Sequence, residues 1–322
     1  MYSRIAGTGH YAPEKVLTNA DLEKMVDTSD EWIRSRSGIE RRHIAEPDET
    51  TVDLAEQACR AAMKAAGVGP EDIDFIVVGT TTPDLVFPNV GCLLQERLGI
   101  HGCAAFSVEA ACSGFVYALS VGDKFVASGQ SRCALVVGAE TLSRIVDWTD
   151  RSTCVLFGDG AGAVVLKPDA DCGIISAHLR ADGRYKDLLT TKSGISVQPE
   201  GAALREGYNV RMMGNEIFKV AVKSLESISQ EALDANGIDR SAVDWLIPHQ
   251  ANMRIIQATA KRLHMPMEKV VITLQEYGNT SAASIPMALD VAVRDGRVER
   301  GQLLLMAAFG GGLTWGSVLL RF

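Results

Sequence analysis

Of the seven cysteines, Cys112 stands apart by its neighbours. It lies in Val108-Glu109-Ala110-Ala111-Cys112-Ser113-Gly114-Phe115, where the apolar run CAAFSV gives way to the segment FVYALSVGDKFVASG. A strand that hands over to a helix leaves the helix's first N–H groups free. Their positive partial charge favours a thiolate at that point. Ala110, Ala111 and Gly114 leave room for a substrate. These residue types fit a nucleophile, although a free cysteine is more often a small buried hydrophobe. His249 in Pro248-His249-Gln250-Ala251-Asn252 and Asn279 in Tyr277-Gly278-Asn279-Thr280-Ser281 offer two partners. Alone, a histidine is usually structural and an asparagine usually caps a helix or turn. Together they supply a proton-handling ring and a neutral, permanent N–H donor. Gly310-Gly311-Gly312, between two apolar runs, would serve as a hairpin turn or bring a backbone N–H close to a developing oxyanion.

The elements that must position these residues alternate in type. Strands are expected at IAGTGHY, DFIVVGT, CAAFSV, ALVVGAE, CVLFG, GAVVLK, WLIPH, VVITL, QLLLMAAFG and WGSVLLRF. Helical patterns such as TVDLAEQACRAAMKAAG, NEIFKVAVKSLESISQEALDANG and ANMRIIQATAKRLH separate several of them. Such alternation implies α/β units with partly parallel sheets. Sliding the chain by 170 residues lays Gly67-Val68-Gly69-Pro70 through Gly79 over Gly237-Ile238-Asp239-Arg240 through His249, with the preceding helices in register. The expected organisation is two similar halves, 1–170 and 211–322, joined by an irregular connection at 171–210. Reactive groups in open α/β sheets gather beyond the strands' carboxyl ends. Cys112 and Asn279 fall on comparable strand-to-helix turns, and His249 takes the strand-end slot held by Gly79. The glycine-rich Phe157-Gly158-Asp159-Gly160-Ala161-Gly162-Ala163 joins two strands, so it is not a dinucleotide fingerprint.

With 322 residues, 47% hydrophobic and 22% charged, the composition is that of a globular protein with a large core. A net charge of −8 argues against a broad nucleic-acid surface. The cysteines form no CxxC pair and no metal-ligand spacing, which points to a reducing compartment and no metal site. MYSRIAGTGHY has no long apolar core behind its arginine, so no secretory signal is expected. No apolar run reaches the roughly 18–20 residues of a membrane helix. A cytoplasmic location follows as the expectation.

GTGHYAPEKVLTN, TSDEWIRSRSGIERRH, EAACSGFVYAL, LFGDGAGA, IPHQANMRII, YGNTSAAS and AFGGGLTWG span essentially the whole chain. Together they resemble the beta-ketoacyl-[acyl-carrier-protein] synthase III family, the condensing enzymes that start bacterial type II fatty acid synthesis. The resemblance implies the thiolase fold, a duplicated α/β half forming a five-layered α-β-α-β-α body, usually a homodimer. It places the family's Cys, His and Asn on Cys112, His249 and Asn279, with the backbone of Cys112 and Gly311 as the oxyanion site. It implies acylation of Cys112 from an acyl-CoA, with acetyl as the default primer. Decarboxylative condensation with malonyl-carrier protein then follows. Coenzyme A is a substrate here and no cofactor is implied. One departure is Tyr277, where histidine is common in the family.

Thr28-Ser29-Asp30-Glu31 has the pattern of a capping box that starts a helix carrying Trp32 and Arg36. By resemblance, Trp32 and Arg151 would sandwich an adenine, Arg36 would lie near phosphates, and Asn252 would touch pantetheine. Phe218 would line the tunnel. Phe87 would limit the primer pocket, contributed across a dimer. Carrier proteins are acidic, so docking on this acidic chain needs a local basic patch. Arg254 and Lys261, seven residues apart on one helix, with Arg262 and Lys219, are the candidates. Two other readings stay open: a same-fold acyltransferase or ketide synthase of secondary metabolism, and a papain-like cysteine hydrolase. The latter shares the order Cys, His, Asn, with His249 lying 137 residues after Cys112.

Overall fold

The computed structural model describes residues 1–191, 194 and 209–322. The first half contributes strands β1 (Tyr2–Tyr11), β2 (Val16–Thr18), β3 (Arg41–His43), β4 (Phe75–Gly79), β5 (Ala104–Val108), β6 (Ala134–Glu140) and β7 (Gly160–Asp169). Its helices are α1 (Asn19–Leu22), α2 (Asp30–Ser37), α3 (Thr51–Ala66), α4 (Val90–Arg97) and α5 (Gly114–Ala127). Then come β8 (Ile174–Ala181), β9 (Leu189–Thr190), β10 (Arg211–Met212), α6 (Gly214–Ala235), β11 (Trp245–Pro248), α7 (Met253–Arg262), α8 (Leu274–Tyr277), α9 (Ser284–Arg294), β12 (Leu303–Gly310) and β13 (Thr314–Arg321).

Two sheets repeat one plan. The first has the order β1-β7-β6-β4-β5 and the second β8-β13-β12-β11. In each, the first two neighbouring pairs are antiparallel and the next is parallel. The first sheet adds β5, parallel to β4. The second fills that slot with a single parallel bridge, Leu246 to Val270. The expected strand VVITL is therefore absent. Val271 N–H still donates to Leu246 O (2.9 Å), and beyond it a side chain takes over: Gln250 donates to Val271 O (3.2 Å) and accepts from Thr273 N–H (3.0 Å). CVLFG likewise forms turns with one bridge, from Phe157 to Asn279. In the other direction, residues expected in the irregular connection form β8, an edge strand on β13. Another part of that connection, residues 192–193 and 195–208, lies outside the described residues.

Helices α5 and α9 lie between the sheets, and the other large helices cover the outer faces. This gives the layers α-β-α-β-α. The central layer reads as apolar all round because both its sides are covered. Phe115, Val116 and Leu119 of α5 and Ile285, Ala288 and Leu289 of α9 pack with Val77, Val136 and Val164 of one sheet and Leu304, Met306 and Val318 of the other. On the first outer face, α3 starts where the Thr50 N–H and hydroxyl both donate to the Asp53 carboxylate (2.9 and 2.7 Å). It buries Leu54, Ala55, Ala58 and Ala62. Contact with β1 is so close that a Cβ on Gly9 would sit 2.4 Å from Ala58 O. At the start of α2, the cap is Ser29 rather than Thr28. The Ser29 hydroxyl accepts from Trp32 N–H (3.1 Å), and Asp30 N–H donates to Glu23 from outside the helix. The Thr28 hydroxyl is buried without a partner.

Candidate active site

Each half ends its central crossover in a tight turn before a buried helix. Residues 111–113 precede α5 and residues 281–283 precede α9, both as single 3-10 turns. The matching positions Ala111 and Ser281 share a left-handed backbone, φ 46° and 49°, unusual for residues other than glycine. The two turns meet at the middle of the molecule, which puts Cys112 beside Ser281. Cys112, His249 and Asn279, remote in sequence, line one cavity of about 1390 Å³ together with Gly311. All three are buried, at 9%, 5% and 7% exposure.

Local chemistry sets the orientation of each side chain. His249 N–H donates to Ala307 O (2.8 Å), carrying the β11–β12 pairing one residue further. The His249 Nδ1 lies 2.7 Å from Ser284 Oγ, at the first residue of α9. That oxygen also accepts from Gln250 N–H (3.3 Å); when the Ser284 hydroxyl donates to Nδ1, the neutral ring carries its proton on Nε2. Burial pushes the imidazole down to about 3, so it is neutral near pH 7. Asn279 is gripped through its backbone by Leu156 O (2.9 Å) and Gly158 N–H (3.0 Å). Its Oδ1 accepts from Ser281 N–H (2.9 Å), which leaves the NH₂ group for the cavity. The hairpin between β12 and β13 is tied to the cysteine turn. Thr314 Oγ1 donates to Ala110 O (3.0 Å), and Ser113 Oγ donates to Thr314 O (3.0 Å).

At the thiol, burial opposes the thiolate that the turn favours. Burial pushes Cys112 up to about 12; the Ser281 hydroxyl opposes this, and the nearby Glu140 adds to it. A helix N-terminus contributes about 2 kcal/mol at most, which is roughly 1.5 pH units. The start of α5 acts in the thiolate's favour, against that burial.

Several residues expected to bind coenzyme A, line the tunnel or dock the carrier protein share this cavity, although Arg151 does not line it. Trp32, Arg36, Phe218, Lys219, Asn252 and Arg254 line it. Asn252 caps α7, accepting from Arg254 N–H (2.8 Å) and donating to Arg36 O (3.2 Å). Arg151 stands over the Trp32 ring at 5.2 Å, and Arg254 over Phe218 at 5.6 Å. The first pair touches directly, so a base can enter between them only if they separate. Thr28 does not line the cavity. Phe87 does not line it either; it projects outward at 85% exposure. Lys261 is exposed on α7, whereas Arg262 is paired with Glu226 of α6 (2.5 Å). Tyr277 packs against His10 and His43 away from the cavity. Ser281, Ser284, Gln250 and Glu140 were missed in the sequence. Only Glu140 carried a signal there, as a lone carboxylate closing the apolar run ALVVGAE. Among the described residues no group of His, Cys, Asp or Glu side chains could hold a metal ion.

A duplicated five-layer body with a cysteine, a histidine and an asparagine around its central cavity defines a thiolase-fold condensing enzyme. The family model described as 3-Oxoacyl-[acyl-carrier-protein (ACP)] synthase III matches residues 106–183, and its C-terminal counterpart matches residues 233–322. A beta-ketoacyl-[acyl-carrier-protein] synthase III from Thioalkalivibrio sulfidiphilus is 65% identical over 100% of this chain and 99% of its own. The crystal structure of 3-oxoacyl-[acyl-carrier-protein] synthase III from Aquifex aeolicus superposes with a TM-score of 0.94. It is 50% identical, over 99% of this chain and 100% of that one. The priming beta-ketosynthase of the R1128 polyketide pathway gives a TM-score of 0.94 at 37% identity, over 99% of this chain and 96% of that one. The chain belongs to the beta-ketoacyl-[acyl-carrier-protein] synthase III family. This membership overturns the papain-like alternative.

Proposed function

We propose that this chain is the initiating condensing enzyme of type II fatty acid synthesis and that Cys112, His249 and Asn279 carry its two half-reactions. One observation bears most of the reading: three polar groups from distant parts of the chain line a single cavity that an indole and guanidinium groups line as well. In the first half-reaction, the Cys112 sulfur attacks the thioester carbon of an acyl-CoA. The carbonyl oxygen becomes an oxyanion, held by the N–H groups of Cys112 and Gly311, and the CoA thiolate leaves. In the second, malonyl-carrier protein takes the vacated place. Its carboxylate leaves as carbon dioxide, and charge builds on the thioester oxygen. The His249 Nε2–H and the Asn279 amide donate to that oxygen. A neutral imidazole suits this task, because it donates without first giving up a proton. The carbanion then attacks the acyl carbon and expels the Cys112 sulfur.

Acetyl is the proposed primer. Trp32 and Arg151 are assigned to the adenine, Arg36 to the phosphates, Thr28 to the same entrance and Asn252 to the pantetheine. Phe218 is the proposed tunnel wall. Arg254, Lys219 and Lys261 are assigned to the carrier protein, with Arg262 contributing less because of its ion pair with Glu226. A homodimer is proposed as well. Strand β5 is an open sheet edge, and Leu85, Val86 and Phe87 are exposed at 50%, 68% and 85%. An outward Phe87 supports a role in the partner's pocket. No helix among the described residues is long and apolar enough to cross a membrane, and the cytoplasm is the proposed location. The test is intact-mass measurement after mixing with a panel of acyl-CoAs, then with malonyl-carrier protein. Cys112→Ala is expected to take up no acyl group. His249→Ala and Asn279→Ala are expected to acylate but not to decarboxylate. Loss of acylation in both would refute this division of labour.

A further inference from the structure

Arg42, in the middle of β3, is wholly buried, and the two half-reactions described above give it no task. A guanidinium keeps its charge at any physiological pH, so burying one is costly unless its donors are met. Its partners here are neutral. Nη1 donates to Leu17 O (3.3 Å) and Asn19 Oδ1 (2.8 Å), and Nη2 donates to Val155 O (2.7 Å). The Nε has no partner. The bond to Val155 reaches the segment that grips Asn279. Immediately after it, Leu156 O accepts from Asn279 N–H (2.9 Å), and Gly158 N–H donates to Asn279 O (3.0 Å). The stem of Arg42 backs the same place. A Cβ on Gly158 would lie 3.1 Å from Arg42 Cβ, and one on Gly278 would lie 3.3 Å from it. On the other side, Asn19 donates to Asp30 (2.8 Å), the first residue of α2, and to Ile39 O (2.9 Å), just past the end of that helix.

We propose that Arg42 is a positioning residue for decarboxylation: its guanidinium holds the Val155 carbonyl, and with it the 156–158 segment that sets the Asn279 amide in the cavity. Arg42 does not line the cavity and acts through Asn279. The other two reactive groups are set by other contacts. The Cys112 turn is tied to the β12–β13 hairpin through Thr314 and Ser113. His249 is held by Ala307 O and Ser284 Oγ. Of the three, Asn279 is the one whose backbone bonds to residues 156 and 158. Val155 is buried, so without Arg42 its carbonyl must find another donor or lose a bond, and the segment shifts. Through Asn19 the same guanidinium is joined to α2, which carries Trp32 and Arg36. The amide thus shares one anchor with the helix proposed to bind coenzyme A.

The inference rests on Asn279 serving the second half-reaction. Two rates are read: Cys112 acylation by acetyl-CoA, by acid quench and intact mass, and carbon dioxide release from malonyl-carrier protein by the pre-acetylated enzyme. Arg42→Met keeps the length of the stem and removes the guanidinium. Folded Arg42→Met is expected to acylate within about threefold of wild type and to release carbon dioxide about tenfold to 100-fold more slowly. Arg42→Lys keeps the charge without the fork and is expected to recover part of that loss. Where Arg42→Met does not fold, Arg42→Lys is read in its place, with release again slowed more than acylation. Added to Asn279→Ala, the Arg42 substitution is expected to slow release by less than about threefold, because the amide it positions is gone. Equal loss in both half-reactions would show that Arg42 only supports the fold. Wild-type release in the folded variant, or a further loss of about tenfold on top of Asn279→Ala, would also overturn the positioning role. Release at the wild-type rate by Asn279→Ala alone would instead remove the assignment of Asn279, and the role of Arg42 with it.

Discussion

Replacing Gly310 with alanine tests whether the β12–β13 hairpin holds the nucleophile turn in place. A Cβ on Gly310 would lie 2.7 Å from Cys112 N, 2.9 Å from Ser113 N and 3.1 Å from Ala110 O. Ordinary contact begins near 3.4 Å, so the turn must retreat by about 0.7 Å. All three atoms are backbone and cannot swing aside like a side chain. The turn is also pinned by the Thr314 bond to Ala110 O and the Ser113 bond to Thr314 O. Overpacking of this kind costs about 1–3 kcal/mol, a drop of roughly 1–5 °C in Tm for a chain of this size. The displaced atoms include the sulfur's own backbone and a proposed oxyanion donor. A misplacement near 1 Å at a reacting centre costs about 100-fold. Gly310→Ala is therefore expected to acylate Cys112 between about tenfold and 100-fold more slowly while remaining folded. Rapid mixing with acetyl-CoA, acid quench and intact mass gives the rate, and thermal unfolding gives the stability. Gly183→Ala is the control, because nothing lies within 4 Å of a Cβ there. Wild-type rate and Tm in Gly310→Ala, or equal damage in Gly183→Ala, would refute the reasoning.

Other consequences can be checked in parallel. His249 titrates near 6.5 when unfolded and at about 3 when buried. The unfolded chain therefore binds a proton that the folded chain refuses. The stabilisation is complete above pH 6.5 and is lost as pH falls toward 3, with a slope of up to about 1.4 kcal/mol per pH unit. Denaturant curves of His249→Gln should show a correspondingly shallower loss between about pH 4.5 and 6.5; parallel curves would contradict the burial argument. Arg151→Ala removes one half of the Trp32 contact. With a cation–π term of about 0.5–1 kcal/mol, KM for acetyl-CoA should rise roughly two- to fivefold with little change in kcat. A kcat loss without a KM change would place Arg151 elsewhere. Lys261→Glu should weaken malonyl-carrier protein binding, most strongly in low salt, with the penalty shrinking as salt rises from about 50 to 300 mM. Acylation by acetyl-CoA is the internal reference, and a salt-independent defect would count against charge steering.

The strands buried on both faces were the most legible part of the fold. DFIVVGT, ALVVGAE and QLLLMAAFG became β4, β6 and β12 because each must be apolar throughout. Other segments misled for local reasons. VVITL looks like a strand, but the Gln250 side chain takes the hydrogen bonds a neighbouring strand would have made. IISAHLRA is only half-buried along an edge, so its pattern never alternates cleanly, and β8 was hidden inside an expected connection. Ser29 and Thr28 are both good caps by composition; only the chain direction before α2 decides between them. Among the site residues, Cys112, His249, Asn279 and the glycine turn could be named because their types are chemically capable and sit at strand ends. Ser281, Ser284 and Gln250 are ordinary polar residues in sequence, and their partners lie on other elements.

By itself, the sequence determined the alternation of elements, the two-fold repetition and the residues able to react, because periodicity and side-chain chemistry are local properties. Only the tertiary structure decided that the two turns meet, that imidazole and thiol are stripped of water, and that the buried Glu140 carboxylate finds hydroxyl and N–H donors from both halves. Desolvation and hydrogen bonding between distant segments arise when the halves close on each other, and no short window of sequence carries them.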